Sequence, residues 1–106
     1  MLVALADRPV GVDVETLSAP ATAREVSELL HPEERRALAQ LPNHELVAAF
    51  TRLWVRKEAY LKALGSGVAH GLDGEAVHAD APLGWEIIEF PVAPGHAAAV
   101  ALKRPS

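Results

Sequence analysis

The chain opens on an unbroken apolar run, and apolar and polar positions alternate only after it. Leu2 to Ala6 and Pro9 to Glu15 are short, β-branched runs separated by Asp7-Arg8, a pattern that predicts a hairpin. In the second run Val10, Val12 and Val14 alternate with Gly11, Asp13 and Glu15. A strand there has one apolar face and one face carrying two carboxylates. After Pro20 the spacing lengthens to that of helices. The pattern predicts a helix over Ala21 to Leu30 and a second one opened by His31-Pro32 and running to about Leu41. A third, of about twenty residues, follows Pro42, with Asn43 as its N-cap and Gly65 as its C-terminal stop. Three further strands are expected at Glu75 to Ala79, Trp85 to Val92 and Ala97 to Lys103. The elements together describe an α+β fold in one domain over residues 1–106, an antiparallel sheet packed against one long helix with shorter helices inserted after the second strand.

The long helix carries an anomaly. At about 100° per residue, Leu46, Phe50, Leu53, Trp54, Leu61 and Leu64 fall on one stripe, with Lys57 in its middle and Glu58 at its edge. Lys62 follows Glu58 by one turn, so the two are neighbours on the surface. One reading is that Lys57 snorkels outward past its apolar neighbours. The other is that it meets an anion, because a lysine centred on such a stripe is costly without one. On the second reading Lys57→Met keeps or raises stability, and Lys62 at the rim binds the anion without supporting the fold. The second anomaly is Gly11-Val12-Asp13-Val14-Glu15, two carboxylates on one strand face beside a glycine that admits a close approach. Alternation on an exposed strand often produces such a pair. It also suits a hard cation such as magnesium, which takes oxygen ligands.

Composition narrows the classes. Asp and Glu number 14 against 10 Lys and Arg, for a formal net charge of -4, which argues against gripping nucleic acid by general electrostatics. Any bound anion must meet a local basic cluster. Absence of cysteine removes disulfides, thiolate metal sites and a cysteine nucleophile. The five histidines lack the spacing of a zinc site and read as surface or capping residues. Met1 to Ala6 is too short for a signal peptide, and no run approaches a membrane span. A cytoplasmic protein without membrane contact is expected.

The two anomalies, taken in order, resemble a known family. Gly11-Val12-Asp13-Val14-Glu15, then Trp54-Val55-Arg56-Lys57-Glu58-Ala59-Tyr60-Leu61-Lys62, then Gly65-Ser66-Gly67 look like the two-part signature of the 4′-phosphopantetheinyl transferases, with Asp13 and Glu58 separated by 45 positions. Leu30-His31-Pro32-Glu33-Glu34-Arg35 resembles the start of that family's intervening helix. Glu15 and Trp54 point to the Sfp type, in which two similar halves share one chain, and this chain looks like the C-terminal half. No Ser-His dipeptide of the kind found in the N-terminal half occurs.

The resemblance implies transfer of 4′-phosphopantetheine from coenzyme A to a serine of an acyl or peptidyl carrier protein, with release of 3′,5′-ADP. It implies that Asp13, Glu15 and Glu58 hold Mg2+, and that Glu58 is a metal ligand, the acceptor of the serine proton, or both. Lys57 and Lys62 are implied to meet the phosphates of coenzyme A, with Lys62 and Glu58 as the catalytic pair. Trp54 is implied either to underlie the site or to pack the pantetheine arm. A half of this kind leaves an apolar face uncovered, with the terminal strands Leu2 to Ala6 and Ala97 to Leu102 as candidates. It is expected to act as a homo-oligomer or beside a second half-subunit. The alternative is a non-catalytic or partner-dependent half-subunit.

Overall fold

The computed structural model of the chain describes residues 2–5, 8–65 and 71–105. Two strands come first, β1 (Leu2–Leu5) and β2 (Arg8–Thr16), paired antiparallel as the two short runs predict. Three helices follow: α1 (Pro20–Ser27), α2 (Pro32–Ala39) and α3 (Asn43–Leu64). The chain then returns to the sheet as β3 (Trp85–Phe90) and β4 (His96–Lys103). Strand order is β1-β2-β4-β3, every pair antiparallel, so the last strand lies between the second and third.

Proline and histidine set the helix starts. Pro20 and Pro32 occupy the first turns of α1 and α2, where a missing N–H costs nothing. His31 caps α2 by accepting from the Glu33 amide at 3.1 Å, while Glu34 reaches back to the His31 amide at 3.2 Å. Asn43 is not the cap of α3. Pro42 holds that position and its carbonyl accepts the first amides, leaving the Asn43 side chain to receive Arg24 at 2.8 Å. Gly65 ends α3 at φ 81°, a conformation that costs a side chain energy.

α3 is buried on more than the one stripe expected. Leu46, Phe50 and Leu53 pack with Ala23, Leu30 and Leu38 of the shorter helices. Val55, Ala59, Tyr60 and Ala63 pack on Val77, Trp85, Ala99 and Ala101 beneath the sheet. The small residues in the second set let the helix lie close to the strands. Closest of all is Gly11, where a Cβ would sit 2.2 Å from the Ala59 carbonyl oxygen and 2.6 Å from the Ala63 nitrogen. What this glycine admits is therefore the helix itself.

Two expected strand boundaries change. Glu75 to Ala79 is no strand but a loop, held by side chains instead of a ladder: Glu34 accepts from the Val77 amide at 2.7 Å and Arg56 donates to the Val77 carbonyl at 2.6 Å. The strand begun at Trp85 stops at Phe90, because Pro91 has no N–H for the sheet. Of the terminal strands, β4 buries Ala99 and Ala101 under α3. The side chains of Leu2 to Leu5 lie outside the described residues, as do Ala6, Ser66, Gly67 and His70. On the sheet face turned from α3, Val14 (57%), Phe90 (45%) and Ile88 (39%) are exposed. Among the described residues no helix is long and apolar enough to cross a membrane.

Candidate functional site

Gly11, Asp13 and Glu15 share the face of β2 that looks toward α3, opposite Ala101, Ala99 and Ala97 of β4. Because Gly11 brings the helix backbone into contact, the carboxylates one and two positions further along that face meet the side chains of Glu58 and Lys62. Asp13 is 5% exposed, and its Oδ1 accepts from Lys62 Nζ at 2.5 Å. Its Oδ2 is buried without a hydrogen-bond partner. Such an atom calls for a ligand, since buried polar groups are otherwise satisfied.

Charge is unbalanced here. Partial burial, then a hydrogen bond that the protonated Glu15 carboxyl shares with Asp13, then the charges of Asp13 and Glu58, push Glu15 up to about 7 despite the pull of Lys62. Burial and Asp13 also raise Glu58. Lys62 is raised chiefly by its bond to Asp13. Three acids and one ammonium thus face each other, an arrangement that favours a further cation. Among the described residues no three His, Asp or Glu side chains are gathered closely enough to hold a metal ion as they stand. Lys62 occupies one Asp13 oxygen in its place. Hard oxygen donors with one oxygen unpartnered fit Mg2+ in kind.

Lys57 does not join this group. It is 1% exposed, pairs with Glu34 Oε1 at 2.7 Å and donates to the Glu75 carbonyl. It neither snorkels outward nor reaches the cluster of Asp13, Glu15, Glu58 and Lys62, and both oxygens of its partner Glu34 are also used by backbone amides. The expected phosphate contact of Lys57 is replaced by an internal one because α2 brings a buried carboxylate to the middle of the stripe. The place of Glu34 three residues after His31 is a signal for a capping glutamate, but nothing local marks it as a lysine's partner. Trp54, one turn before Glu58, is half-buried and stacks on Phe50 with ring centroids 5.8 Å apart.

The sequence that places acids on a strand crossed by a Lys-Glu-x-x-x-Lys helix has known relatives. The family model of the 4′-phosphopantetheinyl transferase superfamily matches residues 9–103. The chain belongs to that superfamily. It is 33% identical over 69 residues to the 4′-phosphopantetheinyl transferase psf-1 of Bacillus pumilus, covering 65% of this chain and 29% of that protein. It is 36% identical over 63 residues to the transferase HetI of Nostoc, covering 58% and 27%. To pptA of Paxillus involutus it is 32% identical over 103 residues, covering 78% and 39%. The matched region thus spans well under half the length of each relative.

Proposed function

We propose that this chain is the metal- and phosphate-binding half of a transferase that moves 4′-phosphopantetheine from coenzyme A to a serine of an acyl or peptidyl carrier protein. The observation that carries this reading is the meeting of Asp13, Glu15, Glu58 and Lys62 across the Gly11 contact, with one Asp13 oxygen buried and unpartnered. In the reaction the serine oxygen bonds to the β-phosphorus, the bond to the bridging oxygen breaks, and 3′,5′-ADP leaves.

Asp13, Glu15 and Glu58 are the residues that would hold Mg2+. Bound there, the ion offsets negative charge on the diphosphate oxygens. Lys62, exchanging Asp13 for a phosphate oxygen, binds as a point charge. Glu58, its carboxyl raised by burial and by Asp13, is suited to receive the serine proton as well as to hold metal. Trp54 keeps one face beside Glu58 for the pantetheine arm. Lys57 stays inside as an internal counter-ion.

The apolar face bearing Val14, Ile88 and Phe90 supports a further part of the reading. A second half, from another copy of this chain or another polypeptide, covers it and completes the coenzyme A site. The protein then works in the cytoplasm, where its carrier and coenzyme A are found. The test is to mix the chain with coenzyme A, Mg2+ and an apo carrier protein and weigh the carrier. A gain of one phosphopantetheine is expected, with activity rising as the chain self-associates or a second half is added. An unmodified carrier under all these conditions, with the chain folded, overturns the transferase reading in favour of a non-catalytic half-subunit.

A further inference from the structure

Away from the acidic site, a cavity of about 160 Å3 opens between α2 and α3. Arg56 and Glu58 lie two positions apart and so leave the helix roughly 200° from each other; the cavity is on the Arg56 side. Its walls combine Leu38, Leu41 and Leu53 with Arg52, Arg56 and His78. Glu89 is the counter-charge of both arginines, at 2.5 Å from Arg52 Nε and 3.1 Å from Arg56 Nη1. A guanidinium carries five N–H donors, so two positive groups share one carboxylate and keep donors to spare. His78 Nδ1 is buried without a hydrogen-bond partner. The residue is otherwise half-buried, so one ring nitrogen is covered at the edge of the surface.

We propose that this cavity binds a short aliphatic carboxylate. Its oxygens meet the spare guanidinium donors and the His78 ring, and its hydrocarbon tail lies against the three leucines. At roughly 30 Å3 per water-sized group the space suits a chain of about four carbons. A phosphate would set polar oxygens against the leucine walls without partners. This site is independent of the transferase reading and uses none of its residues.

The experiment is an NMR titration of the full chain with sodium butyrate, with inorganic phosphate and chloride in parallel arms. Saturable shifts of the His78 ring and Arg56 side chain are expected with butyrate in the millimolar range. Arg52→Gln, at an exposed position, should weaken binding at least fivefold. His78→Leu should remove it while the melting temperature holds or rises, since an unpartnered polar atom is gone. Equal or tighter binding of phosphate overturns the carboxylate assignment. Linear, unsaturable shifts, or a long-lived water beside His78 as the only occupant, overturn the site.

Discussion

One helix presents two lysines, each paired with a buried carboxylate, and the two pairs behave as opposites. Lys57 and Glu34 are both sealed from solvent, and every oxygen of Glu34 has a partner. Lys62 and Asp13 stand at the boundary, with Lys62 39% exposed, Asp13 Oδ2 unpartnered, and two more acids beside them. A complete pair holds the structure and has nothing to offer a ligand. An incomplete pair under a surplus of like charge is where a ligand is owed. Sequence position cannot separate the two cases, because both lysines lie within two turns of the same helix.

The sharpest way to break the comparison is to remove one partner of the complete pair. Glu34→Ala or Lys57→Ala should destabilise by about 3–5 kcal/mol, because an uncompensated buried charge remains. The same argument reverses the expectation for Lys57→Met, which leaves Glu34 alone and should lower stability. The double change Glu34→Leu with Lys57→Met should recover the part of that loss due to unpaired charge but stay about 1–3 kcal/mol below the parent, because the buried Val77 amide loses its acceptor, read by urea unfolding. Full stability in either single alanine variant would show that the pair is not as buried as described.

Gly11→Ala should cost about 1–3 kcal/mol through overpacking, since the new methyl meets the Ala59 carbonyl. It should also separate Asp13 from Lys62. Urea unfolding measures the first effect, and loss of Mg2+-dependent coenzyme A binding in calorimetry measures the second.

The incomplete pair should show itself in pH dependence. Glu15 has a folded value of about 7 against an ordinary 4.5, so between those values the unfolded chain has released a proton that the folded chain retains. Stability should fall as pH rises from 4.5 to 7 and level off above. Raised Glu58 adds to the same trend. Asp13→Asn should shrink it without abolishing it, since burial still raises Glu15, and Mg2+ added at pH 8 should raise the melting temperature of the parent but not of that variant. A melting temperature indifferent to pH and to Mg2+ would remove the charge surplus from the account.

Lys62→Ala is the mildest change. A half-exposed pair is worth about 0–1 kcal/mol, so the fold should barely respond while coenzyme A binding by calorimetry weakens.

The hairpin, the three helices and the close of α3 at Gly65 were legible because they depend on local spacing and on caps within a few residues. The acidic face of β2 and the Glu58 and Lys62 turn were legible for the same reason. What escaped depends on residues far apart in sequence. Glu75 to Ala79 alternates like a strand, yet its backbone is satisfied by Glu34, Lys57 and Arg56 from two helices. Lys57 reads as a lysine in want of an anion, and its carboxylate comes from α2. Gly11 signals a close approach, but only the fold tells that a helix makes it.

The strand order also bears on how the molecule is made. β4 is the last of the four strands to leave the ribosome, and it alone joins β2 to β3. Until it arrives, β3 has no neighbour, Ala99 and Ala101 are missing from beneath α3, and the backbone opposite Asp13 is open. The β2–β4 pairing links opposite ends of the chain, the kind of non-local closure that slows folding. Sheet closure therefore waits for β4, and a nascent chain stopped before His96 carries the acidic residues without the scaffold that aligns them.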